Sequence, residues 1–248
     1  MSLYHQQIAR ELGFDSTINN IVLNQHFAEF LPSLERAYRF DANAGRYDLN
    51  ETDKQLLARA RLHTSKHQIG NLQRRVILFV HPFYLLNNIP NIVGTSKEQE
   101  LQQYVAALLP ILKRDNFPKN TSLVLFESPH DYACITSLFA ERGAVDYVIF
   151  TEHRRGYVLD NKDLQLFQDR DVYVGGCYNT ECVMTAMIDI VRSFVGSSST
   201  LTFLQGLVLT PPSKGPSLFP KYVVDAFGRA IPAAECVSID ELVEEGKK

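Results

Sequence analysis

Two cysteines of this chain, Cys177 and Cys182, lie in the stretch VYVGGCYNTECVMTAMIDIV, and Cys182 is the residue best suited to covalent chemistry. A thiol attacks as its thiolate. The first turn of a helix favours that anion, because unpaired N–H groups and the helix dipole lower a thiol's pKa. The apolar spacing of TECVMTAMIDIVRSF predicts a helix with Cys182 in its first turn and Asn179 or Thr180 as its cap. The same N–H groups suit the oxyanion formed when a thiolate attacks a carbonyl. Gly175 and Gly176, just upstream, let a backbone approach a ligand closely. The plain alternative is that Cys182 is a small buried residue packing the helix onto a sheet. Cys177 falls in a predicted loop and lacks the helix context. Cys134, inside an apolar helix, and Cys236, in the tail, read as structural.

The elements that must hold these residues are legible downstream of position 73. RRVILFVH is a continuous apolar run, as in a strand covered on both faces. TSLVLFES, VDYVIFTE, DVYVGG and TLTFLQGLVLT supply further strands. Between them lie SKEQELQQYVAALLPILKR, with Ser96 as cap and Leu101, Tyr104, Val105 and Leu108 on one face, DYACITSLFAERGA, ended by Gly143, and the helix of Cys182. This alternation predicts an α/β fold, a three-layer sandwich around a mainly parallel sheet of five or six strands. TPPSKGPSLFPKY reads as a Pro-rich loop and SIDELVEEG as a final short helix. Residues 1–72 show helical spacing and no clear strand, so they read as a helical N-terminal extension to an α/β domain spanning 73–248. A residue among 48–53 caps the helix ETDKQLLARARLHTSKHQI. DANAGRYDLNETD approximates a calcium loop, but Arg46 replaces its glycine and Thr52 its bidentate glutamate.

Open parallel sheets bind ligands beyond the carboxyl ends of their strands. The predicted ends carry His81; Glu127 with His130 behind it; Glu152 and His153; and Gly175-Gly176-Cys177 leading to Cys182. A Cys-His-acid arrangement is therefore available, in which His81 deprotonates Cys182 while Glu127 or Glu152 orients the imidazole. The bland readings compete: His81 before Pro82 suits a fixed turn, and strand-end carboxylates also cap helices. Phe83, Tyr84, His153, Gly176 and Tyr178 share the same mouth and are the candidate substrate-binding residues.

Net charge −3 and a pI near 6.2 leave no footprint for nucleic acid, and Arg74 and Arg75 read as solvated strand flanks. No apolar run approaches the roughly 20 residues that span a bilayer, so no membrane partner is expected. The first 30 residues do not have the make-up of a signal peptide. Four cysteines among 248 residues are no disulfide framework, and the C-x4-C spacing is no zinc pair. No metal or other cofactor is expected, and the default compartment is the reducing cytoplasm. The N-terminal helices suit a homo-oligomer interface or a docking surface.

VYVGGCYNTECVMTAMIDI resembles the segment of isochorismatase-like cysteine hydrolases in which a strand ends, a Gly-containing turn follows and Thr-x-Cys-Val opens a helix. The likeness runs from Arg74 to Thr210 and leaves out the N-terminal residues. It implies a three-layer α/β fold, a Cys nucleophile at Cys182, and an Asp and a Lys at two other strand ends. Here His81 stands at the Asp position, and Thr151, followed by Glu152 and His153, stands nearest the Lys position. The family's His/Asp metal cluster has no match, although His130 and Asp131 follow the second strand. The expectation is a cysteine hydrolase with an altered triad, cleaving an amide or ester of a small molecule through a Cys182 acyl intermediate. The alternative is a catalytically inactive member of the fold that binds a ligand or a partner. Nucleotide binding ranks below both, since no GxGxxG or P-loop follows the first strand.

Overall fold

Six strands pair side by side in parallel as one sheet. They are β3 (Arg75–Val80), β4 (Thr121–Glu127), β5 (Tyr147–Phe150), β6 (Asp171–Cys177), β7 (Thr200–Leu209) and β10 (Ala234–Val237). The computed structural model describes residues 17–18, 21–38, 49–84, 98–115, 117–153, 156–177, 181–194, 196–209, 222–224, 230–232 and 234–245. Counted along the sheet alone, the strand order is 3-2-1-4-5-6, the doubly wound arrangement. Its direction of winding reverses between β3 and β6, whose register runs from Arg75 opposite Asp171 to Val80 opposite Gly176. The carboxyl ends of those strands therefore form the crevice where such folds bind ligands.

Alternation along the strands divides the core in two. Ile77 and Phe79 join Leu123, Leu125 and Cys177 on one face, while Val76, Leu78 and Val80 join Val124, Phe126 and Cys182 on the other. The first face is covered by α2 (Glu51–Thr64), α3 (Glu98–Leu112) and the composite helix α4 (Pro129–Glu141). Leu101, Tyr104, Val105 and Leu108 of α3 are all buried there. The second face is covered by the 3-10 segment Asn161–Phe167 and α5 (Cys182–Ser193). The three-layer sandwich is thus present, with six strands.

The N-terminal part does not stand apart from this core. Phe27 and Phe30, from the 3-10 segment Gln25–Phe30, Leu34 of α1 (Leu31–Tyr38) and Leu56 of α2 belong to the same buried cluster as Phe79 and Leu125. Asn50 caps α2 by accepting from the Asp53 N–H at 2.9 Å, as the polar run there predicts. Two details differ from the sequence reading. Thr17–Ile18 (β1) and Ile21–Val22 (β2) pair as a small antiparallel hairpin where no strand is expected. Tyr222–Val224 (β8) and Ala230–Pro232 (β9) form a second hairpin in the tail, before β10 and the final helix α6 (Ile239–Glu245). The first predicted helix, Ser96, most of the calcium-like loop and most of the Pro-rich loop lie outside the described residues.

Among the described residues no helix is long and apolar enough to cross a membrane.

A shared core makes a stability prediction. Phe27 is fully buried, with its ring edge-on to Tyr132 at 5.9 Å. Phe27→Ala is expected to cost about 3–5 kcal/mol of global stability. Urea unfolding followed by tyrosine fluorescence and far-UV circular dichroism should still give one transition, moved to lower urea. A loss confined to a separate minor transition would mean that residues 1–72 fold on their own.

Candidate functional site

Each strand next to the crevice ends in a residue that water cannot reach. β3 runs directly into His81, whose backbone takes the left-handed φ of +46°. A side chain with a Cβ enters that region at a cost of about 1–3 kcal/mol, so the surroundings must hold it there. They do: His81 N–H donates to the Phe126 carbonyl at 2.9 Å, and its own carbonyl accepts from Tyr84 N–H at 3.1 Å. The imidazole is fully buried, with Nε2 at 2.7 Å from Thr151 Oγ1, just beyond β5. Nδ1 has no hydrogen-bond partner. Burial drives its pKa from 6.5 down to about 4, against the pull of Asp131 and with a push from His153. His81 is thus a neutral base at physiological pH.

β4 ends in Glu127, also fully buried. Its Oε1 accepts from Thr136 Oγ1 at 3.0 Å, and its Oε2 has no partner. Burial, assisted by the nearby Asp131 carboxylate, raises its pKa well above the ordinary carboxylate range. Thr136 lies in a π-helical stretch, Tyr132–Thr136, inside α4, and such stretches often mark functional positions.

The next residues build a closed network. Ser128 caps α4, with Pro129 at its first position; Ser128 Oγ accepts from Asp131 N–H at 3.0 Å and donates to Asp131 Oδ2 at 2.8 Å. His153 Nδ1 lies 3.1 Å from the same hydroxyl and 3.7 Å from Asp131 Oδ2. His130 Nε2 reaches Asp53 Oδ1 of α2 at 3.1 Å, and the rings of His130 and His153 meet edge to face at 5.4 Å. Ser128, Asp131, Thr151, Asp53 and this hydroxyl-imidazole link are functional candidates that the strand-end reading of the sequence does not single out. Ser-Pro-His-Asp does carry a signal for one of them: a serine followed three places later by an acid is a cap signature.

The remaining candidates divide. Tyr84 is half-buried with its ring 5.9 Å from that of His153, and Glu152 is half-buried with its N–H on the Tyr157 carbonyl at 2.7 Å. Phe83 stacks flat on Phe139 at 5.3 Å inside the core. Gly176 has φ +125°, and a Cβ there would lie 2.1 Å from the Val80 carbonyl oxygen, so its missing side chain makes room for β3. Tyr178 lies outside the described residues. Cys177 is the last residue of β6 and not a loop residue; it is buried on the α3 face, where its thiol bonds Tyr104. Cys182 opens α5 on the opposite face. The cap of α5 is Glu181, whose side chain makes no capping bond; the expected caps Asn179 and Thr180 lie outside the described residues. Cys182 is 1% exposed, and the Gly156 backbone rests against it so closely that a Cβ there would fall 2.9 Å from the Cys182 carbonyl oxygen.

His81 Nδ1 makes no bond to Cys182, and Glu127 bonds Thr136 rather than His81. The structure does bring His81 and Thr151 together, and it gathers His130, Asp131 and His153 beside them. No protein-family model and no curated protein matches the chain.

The buried imidazole makes a pH prediction. The folded state binds fewer protons at His81 than the unfolded state between about pH 4 and pH 6.5, so this residue's contribution to stability grows with pH across that window. The stability of wild type minus that of His81→Gln should rise by about 3 kcal/mol over that window. Glu127 titrates in the opposite sense in both proteins and cancels in the difference. Chemical denaturation at a series of pH values measures it, and a flat difference contradicts the assignment.

Proposed function

We propose that the carboxyl edge of the sheet is a hydrolytic site for an amide or ester of a small molecule, with Cys182 as nucleophile and His81 as base. The observation that carries this reading is His81: a buried imidazole, neutral at physiological pH, with Nδ1 unpartnered beside the crevice where the winding reverses. Buried polar atoms without partners are few in folded proteins, and one on a titratable ring at a strand end calls for a ligand. The resemblance to isochorismatase-like hydrolases adds to it. The positions it equates with that family's Asp and Lys are His81 and Thr151, and these two side chains are bonded at 2.7 Å.

In this reading His81 Nδ1 takes the Cys182 proton as the sulfur attacks the carbonyl carbon. The first N–H groups of α5, which the cap side chain leaves unbonded, hold the oxyanion. Collapse of the tetrahedral species returns the proton from His81 to the leaving amine or alcohol. Water then cleaves the thioester, again with His81 as base, and releases the acid. Thr151 fixes the ring so that Nδ1, not Nε2, faces the reaction. Catalytic hydrogen bonds often tighten only with substrate present, and in this reading the thiol-imidazole contact is one of them.

One observation favours a second reading, a fold that binds without cleaving. Cys182 is sealed between the apolar layer of Val76, Leu78 and Val80 and the Gly156 backbone. A structural thiol sits in such a place.

Alkylation by iodoacetamide, mapped by peptide mass, decides between them. A nucleophilic Cys182 should react in the native protein with a midpoint well below the unperturbed value of about 8.5. His81→Ala should move that midpoint upward and slow the reaction at pH 7 by at least about 10-fold. Reaction that waits for unfolding supports the binding fold and removes the hydrolase.

A further inference from the structure

A second polar cluster lies away from the crevice, where the 3-10 segment Gln25–Phe30, α2 and the end of α4 meet. His63 Nε2 is 2.9 Å from Glu141 Oε1, and His26 Nε2 approaches the same oxygen at 3.7 Å. The three ligand-capable atoms lie within 4.8 Å of one another. They come from distant stretches of chain and match no spacing motif, so nothing in the sequence marks them.

We propose that His26, His63 and Glu141 bind a divalent transition-metal ion of the zinc class. Two imidazoles and one carboxylate suit such an ion and are a poor set for calcium or magnesium, which take oxygen ligands. Zinc bonds nitrogen and carboxylate oxygen at about 2.0–2.2 Å, so tetrahedral ligand atoms stand about 3.3 Å apart. The two histidine-to-carboxylate separations, 2.9 and 3.7 Å, bracket that figure, and rotation of the exposed His26 ring supplies the rest.

The outer ring of partners is in place as well. Tyr132 Oη lies 2.7 Å from His63 Nδ1, and Asn24 Nδ2 donates to Glu141 Oε1 at 2.9 Å. A neutral His63 that ligates through Nε2 carries its proton on Nδ1, where the Tyr132 oxygen accepts it. Second-shell contacts of this kind fix the orientation of a ligating ring. Tyr132 and Asn24 are themselves buried, so the two supports are held by the core.

Three protein ligands leave a coordination position open. It faces a pocket of about 280 Å³ that is also lined by Arg59, Lys66 and His67. His67 lies with its ring 4.9 Å from that of His63, near enough to become a fourth ligand, and otherwise water or a small anion fills the position. The ion ties the N-terminal 3-10 segment to α2 and α4 at the surface, over the buried Phe27 and Tyr132 contact.

The test uses the full chain freed of metal and titrated with Co²⁺, then Zn²⁺. The expected result is one Co²⁺ per chain, with the visible absorption of a four- or five-coordinate nitrogen and oxygen site, displaced by Zn²⁺. Zn²⁺ should also raise the melting temperature. His26→Ala, which removes an exposed ring, should weaken binding at least about 10-fold while leaving the metal-free melting temperature unchanged, and Glu141→Gln should weaken it similarly. Tyr132→Phe should weaken it about 10-fold through His63 alone. No saturable binding in the wild type overturns the proposal. So does binding that persists in His26→Ala and Glu141→Gln, or a spectrum dominated by thiolate charge transfer.

Discussion

A parallel sheet covered on both faces leaves its polar side chains one place to gather, the strand ends. Here even the ends are dry, and the bond between His81 Nε2 and Thr151 Oγ1 is the interaction on which the site depends. It spans from the end of β3 to the end of β5, across β4. It holds an imidazole in a left-handed backbone turn and points the other ring nitrogen at nothing in the protein. Low dielectric then does what it must: it discharges His81 and raises the pKa of Glu127. A neutral imidazole and a carboxyl group of raised pKa thus stand in one buried cluster, each with one polar atom unmatched.

The N-terminal helices are part of that arrangement. Asp53 of α2 reaches in to His130, while His63, also of α2, meets Tyr132 of the π-helical stretch that presents Thr136 to Glu127. The helical layer therefore sets the orientation of α4, and α4 sets the polar network behind the strand ends. A segment that reads as an appendage in the sequence is, in the structure, one wall of the core.

How far the sequence carried depends on the kind of signal. RVILFV and SLVLF announce themselves because doubly covered strands need no polar alternation. AECV does not, since a short edge strand of small and polar residues looks like tail. The strand DVYVGG reads as stopping at Gly176, yet Gly176 at φ +125° keeps β6 running to Cys177, because only a glycine fits against Val80. The candidate residues on strand ends were legible from position alone. Their pairings were not: Asp53 with His130, His81 with Thr151, and Ser128 with His153 join residues separated by 25 to 77 positions, and no local pattern encodes such contacts. Nor does sequence tell which face a residue serves. Cys177 and Cys182 are near neighbours in the chain and lie on opposite faces of the sheet.

The site turns on His81 being a buried, neutral imidazole anchored through Nε2. The most direct measurement is a pH titration of the histidine ring resonances by NMR in the intact protein, with His81→Gln identifying the signal. His81 should stay neutral until the pH nears about 4, with Nε2 carrying the signature of a hydrogen bond. A midpoint near the ordinary 6.5 would place the ring in contact with water, and the claim of a buried base would fail.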